Sequence, residues 1–116
     1  MVKTLLWLDD VRNPFVGDWL LSYAAEYAYG NHKIVWVKNY SEFENWILKN
    51  GIPSMICFDN DLGEKMEGYD AAKLIANICV EHKLPLPEWN IQSANPVARK
   101  NINDLLISTQ KFIHAS

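Results

Sequence analysis

The apolar run Leu5-Leu6-Trp7-Leu8 stops at Asp9-Asp10, and the run Met55-Ile56-Cys57-Phe58 stops at Asp59-Asn60-Asp61. Apolar segments that end abruptly at carboxylates behave as buried parallel strands whose polar tips line a crevice. If the two strands are neighbours, four carboxylates converge there. At ~4 Å and an effective dielectric near 20, like charges repel by roughly 4 kcal/mol, enough to raise at least one pKa substantially. A divalent cation, Mg2+ or Mn2+, would relieve that repulsion.

The intervening segments alternate with these runs in helical periodicity. Lys3 to Leu8 is the first expected strand and Ile34 to Val37 the second, and between them Trp19, Leu20, Tyr23, Ala24 and Tyr27 recur at the spacing of one helix face. Ser41 with Glu44 has the form of a capping box, followed by the apolar face Phe43, Trp46 and Ile47 and by the stop signals Gly51 and Pro53. Ser54 to Phe58 is the third strand, and Leu62 to Glu67 is an exposed loop closed by Gly68. Ala71, Leu74, Ile75 and Ile78 mark a helix closing near His82, and a fourth strand is expected at about Trp89 to Gln92. Asn95-Pro96 then opens a last helix with buried positions at Ala98, Ile102, Leu105, Leu106 and Ile113.

This alternation predicts one α/β domain over residues 1–116, a three-layer flavodoxin-like fold whose parallel sheet has about four strands in the order 2-1-3-4. In that order the first and third strands are adjacent, and both acidic clusters face the crevice beyond their carboxyl ends. With 116 residues, 49% of them apolar, the chain suffices for one core. A net charge of −3 gives no extended nucleic-acid surface. The start Met1-Val2-Lys3-Thr4 leads into a run too brief for a signal peptide or a membrane span, and Cys57 and Cys79 sit at core positions, so a reduced, cytoplasmic protein is expected.

Asp9, Asp10 and Asp59 form a hard-cation site on this reading, with Asp61 as a further contributor or a proton acceptor. Singly, each aspartate also fits a turn cap or a loop start. Arg12 fits a fork to a carboxylate or to a bound anion, and equally an ordinary salt bridge. Gln92, Ser93 and Asn95 span the fourth strand's end and the last helix's start, a natural place for an anion. Arg99 and Lys100 lie close to that start, where the macrodipole disfavours cations, so a docked anion or plain solvation accounts for them. His32, His82 and His114 all fall at the opposite end of a parallel sheet, which leaves proton transfer to a carboxylate or a metal-bound water.

The series Leu6-Trp7-Leu8-Asp9-Asp10-Val11-Arg12, Cys57-Phe58-Asp59-Asn60-Asp61-Leu62-Gly63, Gly68-Tyr69-Asp70 and Ser93-Ala94-Asn95-Pro96-Val97 resembles the cyclic-phosphate-processing receiver domains, nearly end to end. The resemblance implies metal binding by Asp9, Asp10 and Asp59 and places Arg12, Asp61, Ser93 and Asn95 near a small phosphorylated ligand of nucleotide type, cyclic or linear. That family carries histidine where this chain has Asn60 and Gln92, both amides that hydrogen-bond without shuttling protons. The acidic pair and the Asp-x-x-Leu-Gly element also resemble phosphoacceptor receivers, in which Asp59 would take a phosphoryl group. The fifth strand with its lysine and the fifth helix of ordinary receivers are expected to be missing. A metal-dependent phosphoesterase, a phosphoacceptor receiver and a catalytically silent binding domain are therefore the three functions in view.

Overall fold

Each apolar run becomes a strand because both of its faces are covered. In the computed structural model, which describes residues 2–115 and so leaves Met1 and Ser116 outside, β1 is Thr4–Leu8, β2 Lys33–Val37, β3 Met55–Phe58 and β4 Glu88–Ile91. All pairings are parallel and the order is β2-β1-β3-β4. Crossover connections with helices packed on both faces of the sheet accompany this arrangement. The helices are α1 (Trp19–Tyr23), α2 (Tyr40–Asn50), α3 (Gly68–His82) and α4 (Pro96–Ala115). No fifth strand follows α4 among the described residues.

Strand alternation divides the core in two. Leu6, Leu8, Ile56 and Phe58 pack with Phe43 and Ile47 of α2, Ala71, Ala72, Ile75 and Cys79 of α3, and Ile102 and Leu106 of α4. Leu5, Trp7, Met55 and Cys57 face the other way, against Ala24 and Tyr27. Burial pushes the Cys57 thiol up to about 12 and raises that of Cys79, so both behave as small apolar side chains. No helix among the described residues is long and apolar enough to cross a membrane.

Three local features depart from expectation, each for a physical reason. The first helix does not run through Tyr27: α1 ends at Tyr23, and Ala25–Ala28 forms a 3-10 turn. The carbonyl of Tyr23, which a continuing α-helix would offer to Tyr27, instead accepts from Asn90 Nδ2 of β4 at 3.1 Å, and Tyr27 N turns to the Ala24 carbonyl. Secondly, α2 is capped by Asn39 rather than Ser41: Asn39 Oδ1 accepts from Glu42 N at 2.9 Å, and Glu42 Oε1 accepts from Lys38 N at 3.0 Å. Asparagine two residues upstream is as good a cap as serine and gains the helix a half turn. Thirdly, β4 spans Glu88–Ile91 and ends one residue before Gln92, whose N–H still continues the ladder to Phe58 O.

Candidate metal centre

The parallel ladders run one residue past the strands. Asp9 N donates to Val37 O at 3.0 Å, Asp59 N to Leu8 O at 2.9 Å, and Gln92 N to Phe58 O at 3.0 Å. Because Leu8, Phe58 and Ile91 share one register, the next residues, Asp9, Asp59 and Gln92, stand side by side at the carboxyl edge. Asp9 is fully buried, and Asp59 and Gln92 retain 3% and 2% exposure. Asp10 is exposed, yet one carboxylate oxygen from each of Asp9, Asp10 and Asp59 lies within 4.8 Å of the others.

The turn after β1 is built around Asp9. Its Oδ1 accepts from Val11 N at 2.9 Å and Arg12 N at 2.8 Å, so Asp9 caps this turn as well as facing the basin. Two indoles fix the same turn: Trp36 Nε1 donates to Asp9 O at 2.8 Å, and Trp7 Nε1 to Arg12 O at 2.9 Å. The Arg12 guanidinium returns over the basin, its Nη1 3.2 Å from Asp9 Oδ2 and 3.6 Å from Asp59 Oδ1, with its Cζ 5.3 Å from the Trp19 ring centre.

Asp59 carries the electrostatic cost of the arrangement. Burial first, and then the negative charge of Asp9, push its carboxyl up to about 7; Arg12 pulls it down, and hydrogen bonding and charge from Asp10 raise it further. The main chain below it is held by Gly68, where a Cβ would meet Asp59 O at 2.1 Å and Asn60 Cα at 2.8 Å. Gly68 N donates to Asn60 O at 3.0 Å, so α3 starts in direct contact with the tip of β3. Only glycine permits that approach.

The remaining predicted residues divide. Asn60 is occupied at both ends of its amide: Oδ1 accepts from Tyr69 N at 3.0 Å, and Nδ2 donates to Glu67 Oε2 at 2.9 Å and Asp61 Oδ1 at 3.2 Å. It braces the loop onto α3. Asp61 is exposed and stands outside the three-carboxylate cluster. Gln92 Nε2 donates to Leu8 O at 3.0 Å and reaches Asp9 Oδ2 at 3.4 Å.

At the start of α4 the donors are already taken. Asn95 Oδ1 accepts from Val97 N and Ala98 N, both at 3.1 Å, Arg99 N donates to Asn95 O, and Pro96 has no N–H. Ser93 Oγ is buried and accepts from Asn95 N. An anion at this terminus therefore finds a dipole but no open amide in the first turn. Lys100 pairs with Asp104 one turn along, while Arg99 is exposed. The contributions of Trp7, Trp36 and Gly68 have no counterpart in the sequence reading, since nothing in a strand tryptophan's spacing announces which carbonyl its indole will meet.

The donor set suits a hard divalent cation, being oxygen throughout and negatively charged in excess of its one guanidinium. Gln92 Oε1 adds an acceptor on the same edge, buried and without a partner among the described residues.

Comparison with known proteins gives a concordant result. The family described as cyclic-phosphate processing receiver domain matches residues 4–108. A search of curated proteins gives no match. Among solved structures, one in which yeast Spc42 trimeric coiled-coil amino acids 181–211 are fused to another structure is 17% identical, with a TM-score of 0.60 over 97% of this chain and 76% of that one. At this identity the likeness is one of fold. NtrX from Brucella abortus is 12% identical, with a TM-score of 0.49, and this chain covers 28% of its length. The four-stranded parallel α/β architecture, with a match that runs from the first residue of β1 well into α4, means that the chain belongs to the cyclic-phosphate processing receiver domain family.

Proposed function

We propose that Asp9, Asp10 and Asp59 hold a divalent cation, Mg2+ or Mn2+, and that the surrounding loops bind a small phosphorylated ligand of nucleotide type, cyclic or linear, for hydrolysis of a phosphoester bond. The observation that carries this reading is the approach of three carboxylates to within 4.8 Å on adjacent strand ends, two of them buried. The description of the family, cyclic-phosphate processing, supports a phosphate-bearing ligand. When bound, such a cation supplies Lewis-acid polarisation of a phosphoryl oxygen and acidification of a water.

The chain's own groups have distinct parts in this scheme. Asp9 is fixed by the turn it caps, so its position is set before any ligand arrives. Arg12 offers a fork for the ligand's phosphoryl oxygens. Asp61, exposed and tethered through Asn60, is the carboxylate assigned to accept a proton. Asn60 and Gln92 are neutral amides at all accessible pH, so they orient and do not transfer protons.

The test is a panel of cyclic and linear nucleotide phosphates incubated with Mg2+ or Mn2+, with Asp9→Ala and Asp59→Ala as controls. Metal-dependent cleavage that both controls lose supports hydrolysis. Thermal stabilisation by one ligand without turnover identifies a binding domain. A second reading is favoured by the same buried placement of Asp59 at the tip of β3: transfer of a phosphoryl group onto its carboxylate. Incubation with a small phosphoryl donor would then add one phosphate to the intact mass, and Asp59→Asn would abolish it.

A further inference from the structure

The oxygens of Asp9 are saturated. A carboxylate offers about four lone-pair positions, and four N–H groups face this one: Val11 N and Arg12 N on Oδ1, Arg12 Nη1 at 3.2 Å and Gln92 Nε2 at 3.4 Å on Oδ2. A cation can reach Asp9 only where one of these donors withdraws. The two main-chain donors belong to a turn locked by Trp7 and Trp36. Gln92 is buried and hooked on Leu8 O. Arg12 alone sits on a long flexible stem, with its side chain 23% exposed. It is also the group that bridges Asp9 to Asp59.

We infer that the Arg12 guanidinium is a built-in counter-cation that a divalent metal displaces, and that the displaced guanidinium turns to the bound phosphate, so that metal and anion bind cooperatively through this one side chain. The inference rests on the metal reading above and adds the exchange. Trp19, stacked near the guanidinium, gives it a seat in either position, because a cation over an indole face is stabilised without a hydrogen-bond partner. Metal alone leaves the displaced Arg12 without a hydrogen-bond partner in the protein, with only the Trp19 face to rest on. With phosphate present the same side chain gains a charge-assisted fork. Linkage then requires that each ligand raise the other's affinity by the same factor.

Titration calorimetry with Mg2+, with and without inorganic phosphate, on the wild-type chain, Arg12→Gln and Arg12→Lys tests this. For Arg12→Gln, Mg2+ alone is expected to bind tighter than to wild type by about fivefold or more. Phosphate is expected to tighten Mg2+ by a similar factor in wild type and by less than about twofold in Arg12→Gln. Arg12→Lys keeps the charge and loses the fork, so it should fall between the two, and it serves as the probe if Arg12→Gln does not fold. Equal or weaker Mg2+ binding by the variants overturns the exchange while leaving the metal site standing. Undiminished phosphate coupling in Arg12→Gln overturns the hand-off. Absence of Mg2+ binding in every protein overturns the metal reading itself, and the exchange with it.

Discussion

Trp36 in β2 donates its indole N–H to the main-chain carbonyl of Asp9, 27 positions earlier, at 2.8 Å. The edge strand thereby aims the carboxylate at the tip of its neighbour. Trp36→Phe keeps the six-membered ring and removes the donor together with the rest of the indole. Loss of that bond is expected to cost about 1 kcal/mol in denaturant unfolding, and loosening the support of Asp9, a ligand in the proposed metal site, to weaken Mg2+ binding by about tenfold. A variant with unchanged affinity would mean that Asp9 is held by its turn alone.

Gly68→Ala tests the contact between α3 and β3. A methyl group in a helix ordinarily stabilises relative to glycine by nearly 1 kcal/mol. Here the Cβ would sit 2.1 Å from Asp59 O and 2.8 Å from Asn60 Cα, and main-chain atoms cannot swing aside. The expected sign is therefore reversed, with destabilisation of roughly 1–3 kcal/mol and weakened metal binding because Asp59 shifts. Chemical denaturation showing equal or greater stability would refute the close approach.

Much of this site was legible because its main determinants are local. Asp9, Asp10 and Asp59 follow directly on apolar runs, and the doubly wound order, one of the few that parallel crossovers allow, makes those runs neighbours. Asn95-Pro96 announced α4 for the same reason, since a cap acts within one turn. What stayed hidden depends on distant partners. Asn90 lies 67 positions from the Tyr23 carbonyl it captures, so the break after α1 has no local signature. Gln92, grouped by position with ligand-facing residues, and Asn60, which stands where the resembled family has histidine, turn their amides inward to Leu8 and to Tyr69 and Glu67, a choice set by packing after the chain has folded.

The raised pKa of Asp59 fixes the direction of a pH dependence. An aspartate in an unfolded chain titrates near 3.9, whereas this one titrates at about 7 when folded. Between those values the folded state holds a proton that the unfolded state has lost, so stability falls as pH rises through this window and the loss is complete above about 7. In chelator, the melting temperature should be higher at pH 5 than at pH 8. Asp59→Asn should be the more stable protein at pH 8, with the difference from wild type shrinking toward pH 4. Mg2+ added at pH 8 should recover stability in wild type and much less in the variant. A pH-independent difference between the two proteins would contradict the electrostatic origin of the effect.

Gln92 separates shape from charge at the same edge. In Gln92→Leu the Leu8 carbonyl keeps its other donor, Asp59 N at 2.9 Å, and the partnerless Oε1 disappears, so stability should change by no more than about 1 kcal/mol. Gln92→Glu has nearly the same shape and places a fourth carboxyl where Nε2 now approaches Asp9 Oδ2. Ionising it opposes both the burial and the charges already present, and breaks the bond to Leu8 O. That variant should match wild type near pH 4 and lose roughly 3 kcal/mol or more by pH 8 in chelator, with Mg2+ restoring part of the loss. Thermal melts across this range distinguish the cases: a Gln92→Leu protein as impaired as Gln92→Glu would show that the amide's hydrogen bonds, rather than its neutrality, are what the edge requires.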